Sequence, residues 1–187
     1  MTVYSLETTT PGRSIVCLAE ATPFLAMLPG DWRLALEASL GEPCCGGHVW
    51  VLVEHGDIRV GGALFDYIPL DMQFYARQAQ VRAEAGHKYV GYVWVDPMYR
   101  GSGWGQRWMN AVIARHPGTP LWLSVEDPAL CAFYRHAGFE CCDAVQGAEG
   151  PEWILSNENE TLRRNVAARL DPDEKPPRRD VGRNVEP

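Results

Sequence analysis

The residues best placed to do chemistry lie in residues 89–105, which read YVGYVWVDPMYRGSGWG. An apolar run of strand-forming residues ends at Asp96 and Pro97. A glycine-rich turn from Arg100 to Gly105 then leads into a helical pattern. Glycines let a backbone approach a ligand closely, and the first free N–H groups of a helix attract anions. This order of strand, turn and helix start predicts a site for a phosphate group.

Two common phosphate-binding designs fit this turn poorly. A P-loop needs a Lys after its last glycine, and no Lys follows these glycines. A dinucleotide-binding turn needs G-x-G-x-x-G directly after the strand. Here Gln106 stands at the third glycine position, and residues 96–100 separate the strand from the turn. Glu126 does lie about 20 residues on, where such a turn has its ribose-binding acid, but the dinucleotide design still ranks low.

The turn Arg100-x-x-Gly103-x-Gly105 resembles the acetyl-CoA pyrophosphate loop of the GNAT superfamily of N-acetyltransferases. Residues 121–139, LWLSVEDPALCAFYRHAGF, resemble the family's second signature: a strand, a capped helix, an aromatic–Tyr pair and Gly-Phe. The resemblance implies an α/β fold with a mixed, mostly antiparallel central sheet and helices on both faces. It also implies an N-acetyltransferase that uses acetyl-CoA as cosubstrate and transfers the acetyl group directly in a ternary complex.

The resemblance also implies where acetyl-CoA binds. The strand end at residues 92–95 would splay away from its neighbour and pair its backbone with the pantetheine arm. Asp127 stands where the family often has Asn at the CoA arm, and it can also serve as an N-cap. The residues expected to bind acetyl-CoA are Val93, Trp94, Val95, Arg100, Gly101, Ser102, Gly103, Trp104, Gly105 and Asp127.

Two residues are the candidates for proton transfer. In the family, the tyrosine at the position of Tyr134 sits near the CoA sulfur. A phenol with a pKa of ~10 can protonate a thiolate whose conjugate acid has a pKa of ~8.5. Tyr134 also lies on the apolar face of its helix and could simply be core. Glu126 is a candidate for the general base, and Asp66, Glu54 and His136 are alternatives between which the sequence does not choose.

Composition and charge narrow the class of protein. The chain has 187 residues, of which 46% are hydrophobic and 22% charged, as suits one domain with a full core. Its net charge of −7 arises within residues 1–157, which hold 17 acidic and 10 basic residues. An acidic body disfavours nucleic acid and suits a cationic amine. With no apolar run near ~20 residues and no secretory signal, we expect a cytoplasmic protein without a membrane contact.

The six cysteines do not predict a metal site. Adjacent Cys44 and Cys45 lie near His48 and His55, but the spacing fits no zinc pattern well. We therefore expect reduced, mostly buried thiols and no metal.

Periodicity and breakers predict the order of elements. Thr22 and Asp31 are the expected N-caps of two helices within residues 22–40. Gly61 and Gly62 predict a bulge or a close backbone approach. The segment 69–87, whose residues 72–85 are rich in helix formers, is expected to be a helix or ordered loop over one end of the sheet, and either a packed connector or a lid or substrate-binding segment. Strands are predicted at 14–20, 48–54, 58–67, 89–95, 121–125, 140–145 and 152–155, and further helices over 104–116 and from 128.

Residues 1–157 are expected to form the acetyltransferase domain, and residues 158–187 a polar, largely disordered tail with some helix in 161–170. The expected partner is an amine-bearing small molecule or protein. Domains of this kind pair through sheet edges or late strands, so a homodimer is left open. One alternative is a non-catalytic acyl-CoA-binding or interaction protein. Another is an acyltransferase acting on nucleic acid, which Arg77 and Arg82 leave open.

Overall fold

The computed structural model describes residues 12–68, 75–147 and 150–170. Within these residues, seven strands form one sheet, and six α-helices accompany it. The strands are β1 (Arg13–Cys17), β2 (His48–Glu54), β3 (Asp57–Phe65), β4 (Lys88–Val95), β5 (Leu121–Val125), β6 (Glu140–Gln146) and β7 (Pro151–Ser156). The helices are α1 (Thr22–Leu25), α2 (Gly30–Gly41), α3 (Ala76–Glu84), α4 (Trp104–Arg115), α5 (Ala129–Arg135) and α6 (Glu160–Leu170).

The strands lie in the order β1-β2-β3-β4-β5-β7-β6. Every neighbouring pair is antiparallel except β4 and β5, which run parallel. The crossover between β4 and β5 carries α4, as a parallel connection requires. The predicted α/β fold with a mixed, mostly antiparallel sheet is confirmed.

Helices cover both faces of the sheet. On one face, Trp108 of α4 and Tyr134 of α5 pack in a core cluster with Leu123 of β5. On the other face, Leu36 of α2 packs in a second cluster with Trp122 of β5. Successive residues of β5 thus serve opposite faces, as a strand requires. We call these the α4–α5 face and the α2–α3 face. No described helix is long and apolar enough to cross a bilayer.

The predicted helix starts in residues 22–40 are displaced. Helix α1 begins at Thr22 and is preceded by Ala21, and α2 begins at Gly30 and is preceded by Pro29. Neither preceding residue makes a side-chain capping bond. The extended ψ of 152° at Pro29 lets its carbonyl accept from the N–H of Arg33 at 2.9 Å, so Asp31 lies inside the first turn rather than capping it.

The C-terminal segment predicted as a tail begins with a packed helix. In α6, Val166 is 3% exposed, and Leu162 and Leu170 are partly buried. Four-residue spacing places these three side chains on one helix face, and α6 packs against α3. Because the rest of the segment is polar, its composition alone does not reveal this narrow apolar face. The folded unit therefore extends at least to Leu170, and residues 171–187 lie outside the described residues.

A buried polar group lies near the junction of α3 and α6. His87 Nε2 and Glu158 Oε2 are 3.5 Å apart, and both side chains are fully buried. Burial, together with the nearby charge of Arg82, lowers the pKa of His87 to about 4. Burial raises the pKa of Glu158 above its ordinary value. Both shifts favour the neutral forms, so His87 is uncharged at neutral pH.

Candidate active site

The centre of the sheet opens into a gap between β4 and β5. These strands pair only at Lys88 with Leu121 and at Tyr89 with Trp122. Beyond Tyr89, β4 continues to pair with β3 on its other side, where Trp94 faces Gly61 and Val95 faces Val60. The edge of β4 that faces the gap is thus free of strand partners. The opening predicted for residues 92–95 is present, and such an edge can receive an extended ligand.

A bulge in β4 accompanies this gap. The register of β3 and β4 shifts between Gly61 and Ala63, so that two residues of β4, Tyr92 and Val93, oppose Gly62 alone. Tyr92 has a φ of 55°, in the left-handed region that non-glycine residues rarely adopt. The predicted bulge near the two glycines is confirmed. Bulges bend a strand and redirect its side chains, and they recur next to active sites.

The glycine-rich turn joins the end of β4 to α4. Gly101 and Gly103 have φ values of 74° and 77°, and Gly103 is the N-cap of α4. A methyl group built on either would meet nothing within 4 Å, so these two glycines are needed for backbone conformation and face open space. A methyl group on Gly105, in contrast, would lie 3.0 Å from Phe133 of α5. Gly105 therefore serves the packing of α4 against α5.

The first turn of α4 is suited to an anion. The carbonyl of Gly103 accepts from the N–H of Arg107, so the N–H groups nearer the start of the helix lack intrahelical acceptors. No acidic residue lies in this turn. The Gly105 methyl position is also 3.5 Å from Val95 of β4, which places the helix start beside the end of the gap.

The side chain of Arg100 lies over the end of β4. Its Nε donates to the carbonyl of Val95 at 3.3 Å, and its guanidinium lies 4.6 Å from the ring centroid of Trp94. Trp94 packs with the α2–α3 face, so the guanidinium lies on that side of the strand. Of the residues expected to bind the pyrophosphate, Arg100 thus turns its side chain toward β4.

Tyr134 lies on the α4–α5 face and is 8% exposed. Its ring makes edge contacts with Phe133 and Phe139, with centroids 4.9 and 5.9 Å away. Burial raises the pKa of Tyr134 to about 12. Among the described residues, none forms a hydrogen bond with its hydroxyl. The phenol is therefore held protonated, and its hydroxyl is uncommitted within the described part of the chain.

Asp127 makes the capping contact that its position predicts. Its Oδ1 accepts from the N–H of Ala129 at 2.8 Å, and its carbonyl accepts from Leu130 at 3.0 Å. The side chain thus fixes the start of α5 and hence the helix that carries Tyr134.

The predicted base candidates differ in their surroundings. Glu126 is exposed just beyond β5. Glu54 pairs with Arg13 at 2.5 Å, Asp66 pairs with Lys88, and His136 contacts the carbonyl of Ala132 through Nδ1. Those three side chains already have partners, and Glu126 directly follows β5, one of the two strands that border the gap.

The sequence did not predict a polar network on the α2–α3 face of the gap. Ser124 Oγ lies 2.8 Å from the hydroxyl of Tyr75, which precedes α3, and 3.4 Å from that of Tyr89 on β4. Hydrogen bonding from Ser124 also reaches the carboxylate of Glu152 on β7. Glu152 is 4% exposed. Burial, with the nearby charge of Glu126, raises the pKa of Glu152 despite the bond from Ser124.

One sequence signal could have located part of this network. Ser124 interrupts the apolar strand LWLSV, and alternation places it on the same face as Trp122 and opposite Leu123. A lone polar residue in a buried strand needs a partner. The identity of that partner depends on which strand pairs with β5, and that is not a local property.

Comparison with known proteins fits this geometry. Residues 19–139, close to two thirds of the chain, match the model of the acetyltransferase (GNAT) family. The chain therefore belongs to the GNAT acetyltransferase family. No protein with a curated function matches the chain.

Solved structures share the fold at low sequence identity. The ribosomal-protein-S18-alanine N-acetyltransferase of Escherichia coli is 17% identical, with a TM-score of 0.54 over 77% of this chain and 92% of that one. A structure described as histone acetyltransferase HPA2 and related acetyltransferase, from Corynebacterium glutamicum, is 17% identical, with a TM-score of 0.56 over 78% and 96%. An uncharacterized protein from Bacillus halodurans is 10% identical, with a TM-score of 0.59 over 89% and 95%. At these identities the likeness concerns the fold.

Proposed function

We propose that the protein is an acetyl-CoA-dependent N-acetyltransferase that acetylates a primary amine by direct transfer in a ternary complex. The observation that carries this proposal is the gap between β4 and β5, with a glycine turn at its end and a buried phenol on one face. A parallel pair that separates after Lys88 and Tyr89 leaves a backbone edge free for a ligand.

The residues around the gap fit the donor. Acetyl-CoA supplies an acetyl group as a thioester, together with an extended arm and a pyrophosphate. The free edge of β4 at Val93, Trp94 and Val95 would pair with the arm. The open backbone around Gly101 and Gly103 and the first N–H groups of α4 would hold the pyrophosphate, since a helix start favours an anion by about 0.3–1 kcal/mol.

The raised pKa of Tyr134 limits how it can serve as an acid. A phenol with a pKa of about 12 that protonates a thiolate with a conjugate pKa of ~8.5 works uphill by about 5 kcal/mol. This cost is avoided if the hydroxyl donates a hydrogen bond to the sulfur and receives a proton from the amine nitrogen as it gives its own. In our proposal Tyr134 relays a proton in this way.

Charge supports an amine acceptor. Residues 1–157 hold 17 acidic and 10 basic residues, and Glu126 and Glu152 lie near the gap. A negative cleft concentrates cations and repels nucleic acid. We therefore propose a cationic amine, on a small molecule or a protein, as acceptor, and a cytoplasmic location for the reaction.

Two measurements test the function. Isothermal titration with acetyl-CoA should show binding, and CoA release should accelerate with at least one amine among 1,4-diaminobutane, lysine amide and an alanine-terminated peptide. No binding at millimolar acetyl-CoA would overturn the proposal. Binding without CoA release across the three amines would favour a non-catalytic acyl-CoA-binding protein. Salt-sensitive retention of RNA on a filter would favour a nucleic-acid acceptor.

A further inference from the structure

Hydrogen bonding links three polar side chains on the α2–α3 face: Tyr75, Ser124 and Glu152. Ser124 has one hydroxyl proton. If that proton goes to the carboxylate of Glu152, the Ser124 oxygen accepts from Tyr75, 2.8 Å away. The chain then runs from Tyr75 through Ser124 to Glu152 and ends on an acceptor. Such a chain holds a carboxylate in one orientation.

The end of this chain lies next to β5, one of the two strands that border the gap. On β5, Ser124 comes after the last pair with β4, Trp122 with Tyr89. On the other side of β5, Ser124 faces Ile154 of β7, and Val125 faces Trp153. One step further, this register places Glu152 across from Glu126. Two carboxylates therefore lie next to each other where β4 and β5 have parted.

The position of Glu152 complements that of Tyr134. Tyr134 packs with Leu123 and Val125 on the α4–α5 face. Ser124 lies between those two residues on β5 and therefore points to the other face. Glu152 shares that face, because it is two residues from Ile154, which pairs with Ser124. A reacting carbon held in the gap would have the phenol on one side and the carboxylate on the other. General acid and general base catalysis of acyl transfer needs such a separation, since one proton leaves the nucleophile while another meets the leaving group.

We propose that Glu152 is the general base that takes the proton from the acceptor's ammonium group, while Ser124 and Tyr75 act as positioning residues for its carboxylate. The inference rests on the proposed acetyltransferase function and adds the residue that the sequence left open. It replaces Glu126, which is exposed and lacks the hydrogen-bond chain, in the role of base.

The proposed transfer removes two protons from the ammonium nitrogen, one to Glu152 and one to Tyr134. An N–H bond of the ammonium breaks and an O–H bond forms on Glu152, which frees the nitrogen lone pair to attack the thioester carbonyl. A C–N bond forms and the C–S bond breaks. The sulfur takes the proton of the Tyr134 hydroxyl, and the second nitrogen proton replaces it. Glu152 then gives its proton to water, so each acetyl transfer releases one proton.

The groups around Glu152 suit this role. Ser124 on β5 and Glu126 just beyond β5 affect the pKa of its carboxylate, which also lies against Gly147 in the turn between β6 and β7. Among the described residues, no Lys or Arg pairs with Glu152. Burial and the charge of Glu126 raise its pKa, which makes the carboxylate a better proton acceptor. The same pair of carboxylates attracts an ammonium group.

The experiment compares pH profiles of CoA release, with acetyl-CoA and the fastest of the three amines, for wild type, E152Q, E126Q, S124A and E160Q. E152Q should lose about 10²- to 10³-fold in kcat at pH 7. Its rate should then rise about tenfold per pH unit up to the pKa of that amine, which is ~10.4 for an alkyl amine and ~8 for a peptide N-terminus, because only amine already neutral in solution can react. Wild type should be flat over the same range. Acetyl-CoA affinity should stay within about twofold.

Two further variants test whether the pH profile follows the pKa of Glu152, and a third serves as control. E126Q should shift the acidic limb of the pH profile, where the rate falls as Glu152 is protonated, to lower pH, since a charge that raises the Glu152 pKa is gone. S124A should shift that limb to higher pH, since the hydrogen bond that lowers this pKa is lost. E160Q, an exposed carboxylate on α6, should match wild type.

Each outcome decides the inference. If E152Q gives a profile parallel to wild type, or if E126Q alone shows the tenfold rise per pH unit, Glu152 is not the base. If E152Q fails to fold in a thermal melt, an unmoved acidic limb in folded S124A overturns the inference, and a limb moved upward supports it. A wild-type protein that acetylates none of the amines contradicts the proposed function itself, which is a distinguishable failure.

Discussion

Gly62 of β3 lies opposite the bulge that Tyr92 begins in β4, so that one glycine faces two residues of its neighbour. The left-handed φ of 55° at Tyr92 belongs to this bulge. A side chain on Gly62 would collide with Trp108 of α4 at 2.6 Å and approach Val93 at 3.3 Å. The bent strand and the helix beneath it therefore both depend on a bare backbone at Gly62.

Gly62→Ala should destabilise the protein by about 1–3 kcal/mol, since a rigid indole cannot yield without moving α4. The measurement is the midpoint of urea unfolding followed by fluorescence. Gly30→Ala is the matched control. It lies in the first turn of α2, and a methyl group there meets nothing within 4 Å. Because alanine favours helix over glycine by up to ~1 kcal/mol, the control should be neutral or stabilising. Equal midpoints for the two variants would refute the packing argument.

Gly103→Ala should weaken acetyl-CoA binding by about fivefold to tenfold. The N-cap of α4 needs a φ of 77°, and a non-glycine residue there costs roughly 1–2 kcal/mol of backbone strain. If the turn shifts to relieve the strain, its N–H groups move away from the pyrophosphate. Titration calorimetry gives the affinity.

Gly118→Ala is the control for this strain. Gly118 lies in the turn between α4 and β5, with a φ of 76° and open space around its methyl position. The Gly118→Ala variant should lose about as much stability as Gly103→Ala but keep wild-type affinity for acetyl-CoA. If both variants lose affinity equally, the glycine turn is not the phosphate site.

The glycine turn and the start of α5 could be predicted from sequence because their signals are local. Gly101, Gly103 and the start of α4 are consecutive, and Asp127 caps a helix only a few residues before Tyr134. Turn and capping preferences act over such short distances. The strand pattern and two signatures were therefore enough to predict the fold class and the opening of β4.

The polar network of Tyr75, Ser124 and Glu152 could not be predicted, because its residues meet only through tertiary structure. Tyr75 and Ser124 are 49 residues apart, and Glu152 reaches them because β7 inserts between β5 and β6. Non-local strand pairing has no signature in a single sequence. The same reason explains why the sequence predicts a tail from residue 158. The three apolar residues of α6 are buried only because the helix packs against α3, which is distant in sequence.

Val166→Ala should lower the free energy of unfolding by about 1–2 kcal/mol, because a buried side chain of α6 loses two methyl groups' contacts. The exposed neighbour Asn165→Ala should change it by less than about 0.5 kcal/mol. Urea unfolding monitored by circular dichroism compares the two. A Val166 variant as stable as the Asn165 variant would show that α6 does not contribute to the folded unit.

His87 should make stability fall as the solution is acidified. Its pKa is lowered to about 4 in the folded protein, while the unfolded chain has a pKa near ~6.5. Between these values the unfolded state binds more protons, so this contribution is complete above ~6.5 and is lost toward 4. Wild type should therefore lose up to about 3 kcal/mol relative to His87→Gln over this range. Buried Glu158, with its raised pKa, acts in the opposite direction in both proteins, so the difference between them isolates His87. Parallel stability curves from urea titrations at pH 4 to 7 would contradict this.

Tyr134→Phe should reduce kcat by roughly tenfold to a hundredfold and leave acetyl-CoA affinity nearly unchanged. The ring contacts with Phe133 and Phe139 remain, and no described residue loses a hydrogen bond, so the thermal midpoint should move little. The protonated phenol is the active form. Since burial raises its pKa to about 12, wild type should show no alkaline loss from Tyr134 below about pH 11. CoA release across pH 6 to 10 measures both effects. An unchanged kcat in the phenylalanine variant would remove Tyr134 from the chemistry and leave the relay to another donor.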